Sequence, residues 1–149
     1  MSRNEKLKFP EDRFYDSRYH FWAKPDPTTG NVVIGIDALG LDSAGELVYM
    51  SFHSAGSRVR RHESLGSLEA AKMTGEILSP VSGTIIQRNT NVLEEPSIVN
   101  AEPYGRGWFV LINPDNWHDE SKLLVSGNRI TSWAKGEMMK RETESIFDR

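Results

Sequence analysis

The stretch Leu68-Glu-Ala-Ala-Lys72-Met-Thr-Gly-Glu-Ile-Leu-Ser-Pro-Val-Ser-Gly83 has the pattern of a β-hairpin with a lysine at its tip. The strand after the tip ends at Pro80, because proline has no backbone N–H to give to a neighbouring strand. Small residues on both sides of Lys72 allow a tight turn. Most lysines are ordinary solvated surface residues. This one is expected to stand clear of the protein body, where another protein can reach it.

The residues around Lys72 resemble the attachment site of lipoylated carrier domains. Glu69 lies three residues before the lysine, Gly83 eleven after it and Gly56 sixteen before it, which are the spacings of that family. A glycine suits an outer turn where φ is positive or where two backbones approach closely. The resemblance implies that lipoate is attached covalently to Lys72. Glu69 is expected to help the lipoylating enzyme, a ligase or a transferase, to recognise the hairpin.

Biotin carriers use the same hairpin, so the hairpin alone leaves two cofactors open. In biotin carriers the attachment lysine usually lies between two methionines. In this chain Met73 follows the lysine, but Ala71 precedes it. Half of the biotin pattern is therefore present.

Length and composition limit the other classes of function. A chain of 149 residues is long enough for one domain with a core. A net charge of −3 gives no general attraction to nucleic acid or to anionic membranes. No apolar run approaches the ~20 residues of a membrane span, and the first residues are too polar for a signal peptide. We therefore expect a cytoplasmic protein.

Cysteine is absent from the chain, which excludes disulfides and thiolate metal sites. Any thiol chemistry must therefore use sulfur that arrives on a cofactor, as lipoate would supply it. The four histidines are scattered, and the sequence shows no convincing catalytic triad or metal cluster. The chain is expected to be a non-catalytic carrier rather than an enzyme.

The order of patterns predicts one mainly β domain over residues 1–149. It begins with an N-terminal arm (1–13), continues as a β sandwich (14–112) that contains a short helix (37–45), and ends in a helical segment (113–149). An aromatic strand-like segment should run to Lys24, Asp37 should cap the short helix, and residues 94–103 should form a loop. Arg58, Arg60 and His62 should share one strand face, either simply solvated or a docking patch for an acidic partner.

Motifs along nearly the whole chain are similar to those of the glycine cleavage H-protein family. His20-Phe21-Trp22 falls where that family has His-Glu-Trp, and Gly45-Glu-Leu-Val-Tyr49 and Asn100-Ala-Glu-Pro-Tyr-Gly-Arg-Gly-Trp108 match further motifs. The resemblance implies a barrel-sandwich hybrid (hammerhead, lipoyl-domain-like) fold with a short inserted helix and C-terminal helices. It also reduces the biotin carrier to a minor alternative.

The resemblance also implies that lipoate on Lys72 forms a flexible arm, and that acidic side chains in a cleft on the protein body hold the group that this arm carries. Two of those acidic positions can be compared with this sequence. Phe21 replaces one carboxylate of the family, whereas Glu76 falls where another of its acids lies. With two glycines of the hairpin region added, the expected cofactor-binding residues are Lys72, Glu69, Gly75, Glu76, Gly83 and Phe21. The apolar Phe21 favours a soft sulfur cargo, as in lipoate-binding proteins that serve heterodisulfide-reductase-like complexes in sulfur oxidation. The alternative is a glycine cleavage carrier of an aminomethyl group, with glycine decarboxylase, aminomethyltransferase and dihydrolipoamide dehydrogenase as partners. An unmodified scaffold relative is a minor alternative.

Overall fold

Two antiparallel sheets form the framework of the protein in a computed structural model that describes residues 7–147. Residues 1–6 of the predicted arm and residues 148–149 lie outside the described part. The larger sheet has the strand order β1-β2-β3-β9-β8-β5 and the smaller sheet has the order β4-β6-β7. The strands are β1 Phe14–Tyr15, β2 Phe21–Pro25, β3 Val32–Ile36, β4 Leu47–Phe52, β5 Arg58–Val59, β6 Ser64–Ala70, β7 Thr74–Leu78, β8 Gly83–Arg88 and β9 Val110–Pro114.

Five α-helices connect or close the sheets in the described residues: α1 Ala38–Ala44, α2 Thr90–Glu94, α3 Ser97–Ala101, α4 Trp117–Glu120 and α5 Ile130–Phe147. No helix among residues 7–147 combines the length and the apolarity needed to cross a membrane. The mainly β fold with a short inserted helix and a C-terminal helix is confirmed.

The core is built by the inward faces of both sheets. Leu65, Leu68 and Ile77 of the smaller sheet join the larger sheet's buried aliphatic residues and Phe109 in one cluster. A second cluster lies beneath α5, where Tyr15, Trp22 and Ile130 are buried against Phe9 and Trp133. The hairpin β6–β7 is therefore anchored by its buried face, while its tip is free of the core.

Helix α1 begins and ends as its sequence predicts. The Asp37 carboxylate accepts hydrogen bonds from the N–H groups of Leu39 and Gly40, both at 2.9 Å, which satisfies two donors of the first turn. Gly45 ends the helix with φ at 79° and donates its N–H to the Leu41 carbonyl. The predicted short helix is confirmed.

The aromatic segment before Lys24 is not one strand, as the sequence analysis expected. It is divided into β1 and β2, which pair with each other in antiparallel register. The chain reverses because the buried Asp16 carboxylate accepts from the N–H groups of Arg18 and Tyr19 at 2.9 and 3.0 Å, and His20 then takes a φ of 66°. Aromatic composition favoured a strand, but the local Asp16 turn decides the structure.

The prediction that residues 94–103 form a loop was also wrong in part, because this region contains the end of α2 and the whole of α3. Asn89 caps α2, and α3 begins directly after Pro96. Both helices are only five residues long, and each is held by buried aliphatic residues, Val92 in α2 and Ile98 and Val99 in α3. The sequence pattern also predicts a last buried strand over residues 108–112, and the observed strand, β9, begins and ends two residues later.

The basic segment after Gly56 does not present one continuous strand face. Strand β5 contains only Arg58 and Val59, and His62 has a φ of 69° that turns the chain. The His62 ring nitrogen lies 2.5 Å from the buried Asp16 carboxylate, while Arg58 pairs with Asp115 at 2.6 Å. The predicted shared face is therefore wrong for His62, which turns toward Asp16, whereas Arg58 and Arg60 are both exposed and line the same surface pocket.

Candidate functional site

Lys72 lies in the turn that joins β6 to β7, as the sequence predicts. Its backbone N–H donates to the Ala44 carbonyl at the end of α1, and the N–H of Ala71 donates to the Glu46 carbonyl, both at 2.9 Å. Across the turn, the Ala70 N–H donates to the Met73 carbonyl at 2.8 Å. The hairpin tip is therefore held by backbone hydrogen bonds both within the hairpin and to the α1–β4 connection.

The Lys72 side chain is exposed, but it does not stand clear of the body as expected. Its Nζ donates a hydrogen bond to the Asp42 carbonyl at 3.0 Å. A side-chain carbon added to Gly45 would lie 3.2 Å from Lys72 Cγ and 3.5 Å from Cδ and Cε, so the lysine stem passes over this glycine. Lys72 is accessible and at the same time laid against the C-terminal end of α1.

Asn100 holds the connection on which the lysine stem rests. Its side-chain Nδ2 donates to the Gly45 carbonyl at 3.0 Å, and its Oδ1 accepts from the Leu47 N–H at 2.9 Å. Sequence reasoning placed Asn100 in a characteristic late motif but gave it no role. The structure shows that this amide fixes the backbone beneath Lys72.

Phe21 and Glu76 are brought together in a small cavity of about 210 Å³ beside the hairpin tip. Phe21 is buried, with 6% of its surface exposed, whereas Glu76 is exposed on β7. The same cavity is lined by Met73, His20 and aliphatic residues from β3 and β6. Among the residues lining it, Glu76 is the one with a carboxylate, so the wall at Phe21 is apolar.

The remaining predicted residues occupy different positions. Glu69 is exposed on β6, opposite Thr74 across the hairpin, and Gly75 pairs with Leu68. Gly83 lies in β8 of the other sheet, where an added Cβ would lie 2.2 Å from the Asn113 carbonyl oxygen. Gly83 is therefore needed for close approach of two strands, and the structure does not bring it to the tip.

His20 and Asp37 form a pair that sequence reasoning did not find. His20 Nδ1 lies 2.9 Å from the buried Asp37 carboxylate, and the His20 ring is stacked on Trp133 with centroids 5.8 Å apart. Burial opposes charging of His20, but the hydrogen bond and the charge of Asp37 outweigh it and raise the pKa of His20 above its ordinary value. The two residues are 17 positions apart, and no periodicity links them.

Both the sequence and the fold are similar to those of glycine cleavage H proteins. The family model described as glycine cleavage H-protein matches residues 13–137. The chain is 40% identical to the glycine cleavage system H protein of Acinetobacter baumannii over 121 residues, which covers 80% of this chain and 94% of that protein. It is 33% identical to the glycine cleavage system H protein of Crocosphaera subtropica over 133 residues, which covers 89% of this chain and 97% of that protein.

The fold leads to the same group of proteins. The crystal structure of a glycine cleavage system H protein from Mycobacterium marinum matches with a TM-score of 0.71 and 27% identity, covering 87% of this chain and 98% of that one. Proteins of this family are non-catalytic carriers with lipoate covalently attached to a lysine. With the family model matching most of its length and relatives this similar, the chain belongs to the glycine cleavage H-protein family.

Proposed function

We propose that Lys72 is the lipoyl attachment residue of this chain, and that the arm carries the glycine-derived aminomethyl group between the enzymes of glycine cleavage. The main observation that supports this attachment is the position of Lys72. It is exposed at a hairpin tip, and the backbone of this tip is hydrogen-bonded to the end of α1. The names of the relatives support this cargo over sulfur, which reverses the order favoured by the sequence alone.

The residues at the tip fit an amide-linked lipoyl group. The Lys72 amine donates to a backbone carbonyl and sits on an exposed side chain, so an enzyme can reach it. The positive φ and missing Cβ of Gly45 leave room for the lysine stem. When attached, lipoate supplies two sulfur atoms at the end of a flexible arm.

The chain's own contribution is positioning. Backbone hydrogen bonds hold the root of the arm at the tip while the distal end can move. A tethered group remains at high effective concentration near each partner and cannot diffuse away. Glu69 is exposed beside the root, and we assign it to recognition by the lipoylating enzyme. The other proposed partners are glycine decarboxylase, aminomethyltransferase and dihydrolipoamide dehydrogenase.

A second candidate cargo is sulfur, exchanged with a heterodisulfide-reductase-like complex. The observation that favours it is the small cavity beside the tip, where Phe21 presents an apolar wall at the position of the family's glutamate. An aminomethyl group is cationic, and it would meet Glu76 there but lack the second carboxylate. A sulfur cargo does not require that second charge.

Glycine turnover distinguishes the two cargoes. Lipoylated protein is mixed with glycine decarboxylase, aminomethyltransferase and dihydrolipoamide dehydrogenase, with tetrahydrofolate to accept the methylene carbon and NAD⁺ to reoxidise the dithiol, and release of CO₂ from glycine is measured. We expect turnover, and we expect Glu76→Gln to lower it because the cationic cargo loses its carboxylate partner; Glu95→Gln, an exposed glutamate in the α2–α3 connection, should not lower it. Lipoylated protein that gives no turnover, while a known H protein does, would reject the aminomethyl cargo and favour sulfur.

A further inference from the structure

Two large apolar side chains are exposed next to each other on β4, the strand that pairs with the hairpin strand β6. Val48 has 65% of its surface exposed, and Tyr49 has 54%. Regular alternation along a strand would turn one of two neighbouring side chains inward. The pairing of β4 with β6 shifts its register between Leu47 and Tyr49, and Val48 is skipped in it. This β-bulge is the reason why both side chains face solvent, since a bulge re-aims the side chains beside it.

Tyr49 lies close to the hairpin tip. It is directly opposite Glu69 on β6, and Glu69 is directly opposite Thr74 on β7. Residues opposite each other in an antiparallel pair are about 5 Å apart. These three residues are exposed, and they form the row across all three strands that is nearest to the turn with Lys72. Tyr49 is therefore on the outer face of the smaller sheet, beside the root of the proposed arm.

The surface around this row is acidic. Exposed Glu69 belongs to the row, and exposed Glu46 lies in the α1–β4 connection, where its carbonyl accepts from the Ala71 N–H of the tip. Strands β4, β6 and β7 contain no lysine, arginine or histidine. Interfaces match opposite charges and bury aromatic anchors. A partner that covers this surface therefore needs basic side chains for the two carboxylates and an apolar recess for Val48 and Tyr49.

The reaction at Lys72 indicates which partner must cover this surface. A lipoylating enzyme acts on the Lys72 Nζ itself. With lipoate activated by ATP, the amine attacks the acyl carbon, the amide C–N bond forms, the bond to phosphate breaks, and AMP and a proton leave. The active site of this enzyme must therefore reach the tip, and an interface of typical size covers about 800 Å² on each partner, which extends to the neighbouring row. Enzymes that act on a loaded arm meet its sulfur end instead, and the length of the arm separates that end from the tip.

We propose that the lipoylating enzyme docks on the surface formed by Glu46, Val48, Tyr49 and Glu69, with Tyr49 as the aromatic anchor. The proposal rests on the proposed attachment of lipoate to Lys72. Tyrosine is enriched among the few residues that dominate the binding energy of an interface. The enzyme then recognises the bulged strand β4 in addition to the hairpin, so the hairpin alone is an incomplete substrate.

The test measures lipoylation of the full-length apo protein by a lipoate ligase with lipoate and ATP. The lipoyl increment is followed by intact mass at several carrier concentrations, which gives kcat and KM for wild type, Tyr49→Ala, Tyr49→Phe and Leu123→Ala. Leu123 is the matched control, because it is also apolar and 59% exposed but lies in the 3-10 turn after α4, in neither sheet. Acetylation of Lys72 by a small acetylating reagent is measured in parallel by peptide mass. It reports the accessibility of the amine without any enzyme.

We expect Tyr49→Ala to lower kcat/KM for lipoylation about tenfold, mainly through a higher KM, because a buried anchor is lost. Tyr49→Phe should keep most of the activity, since the ring remains, and Leu123→Ala should match wild type. The acetylation rate of Lys72 should be the same in wild type and Tyr49→Ala, which shows that the lysine has not been displaced.

Equal kcat/KM in wild type and Tyr49→Ala would overturn the docking surface, even if glycine turnover by the lipoylated variant falls, because Tyr49 would then serve a different partner. An equal loss in Leu123→Ala, or an equal slowing of acetylation in Tyr49→Ala, would overturn it as well. A wild-type protein that gains no lipoyl increment on Lys72 would instead contradict the attachment itself.

Discussion

At the scale of single residues, Lys72 depends on neighbours that have no chemistry of their own. The Ala44 carbonyl fixes its backbone, the Asp42 carbonyl receives its amine, and Gly45 leaves space for its stem. All three contacts use the end of one short helix. A reactive side chain can thus be positioned mostly by backbone atoms, and substitutions that disturb this backbone should matter more than changes in nearby charge.

Gly45→Ala should lower the free energy of unfolding by about 1–3 kcal/mol. Its φ of 79° and ψ of −154° lie in a region that is essentially restricted to glycine, and the new Cβ would also press on the Lys72 stem. Urea unfolding measures the change. Gly136→Ala in α5 is the matched control, because nothing lies within 4 Å of an added Cβ and alanine favours a helix by up to about 1 kcal/mol. Equal effects of the two substitutions would contradict the role of Gly45.

Raising the pH should destabilise the fold through His20. The folded state binds a proton on His20 more tightly than the unfolded chain does, so this stability is fully present below the ordinary pKa of 6.5 and is lost as the pH rises through the raised folded pKa. Urea unfolding between pH 6 and 9 measures the loss. His20→Asn removes the titration while tolerating the positive φ, so its unfolding free energy should vary less with pH. An unchanged pH dependence in this variant would refute the assignment.

At the scale of elements, α1 is the support of the site and is itself held from two sides. The hairpin tip binds its C-terminal end, and Arg141 of α5 reaches its outer side. The Arg141 guanidinium lies 2.5 Å from Ser43 Oγ and 3.0 Å from the Asp42 carboxylate. The C-terminal helix therefore contributes to the site although it does not touch Lys72.

Arg141→Lys should lower the free energy of unfolding by about 1–2 kcal/mol. Lysine keeps the charge but cannot donate to Ser43 and Asp42 from one planar group, and charge-assisted hydrogen bonds of partly buried groups contribute this much. Arg106→Lys is the matched control, since its pair with Glu102 is exposed and such pairs contribute little. Thermal or urea unfolding that ranks the control as equally harmful would contradict this coupling of α5 to α1.

The sequence predicted elements best where local patterns and tertiary packing agree. The hairpin has turn residues at its tip, alternation on its strands and Pro80 beyond them, and α1 has both a cap and a terminal glycine. Helices α2 and α3 could not be predicted in the same way, because five residues give less than two turns of periodicity. Asn89 caps α2 locally, but the buried contacts that both helices make join residues distant in sequence.

At the scale of the whole molecule, the protein is a packed framework that presents Lys72 at one hairpin tip, where we propose that the arm is attached. Two sheets anchor the hairpin through its buried residues, and the α1–β4 connection fixes its tip. A rigid root and a mobile arm together let one group visit several enzymes while remaining tethered. The position of Lys72 at the hairpin tip was predictable because the hairpin pattern around it is local.

The surroundings of Lys72 were less predictable. Its amine meets the carbonyl of Asp42, 30 residues away, and any residue type can supply a carbonyl, so the sequence carries no signal for that contact. The Phe21–Glu76 cavity, in contrast, was anticipated, because both positions lie in recognisable motifs.

Covalent modification of Lys72 is the central claim, and mass spectrometry tests it most directly. The purified protein is incubated with lipoate, ATP and a lipoate ligase, and its intact mass and peptides are measured. We predict one lipoyl increment, located on the peptide that contains Lys72, absent in Lys72→Arg and retained in Lys122→Arg. A lipoyl increment on a different lysine, or one that persists in folded Lys72→Arg, would contradict the account.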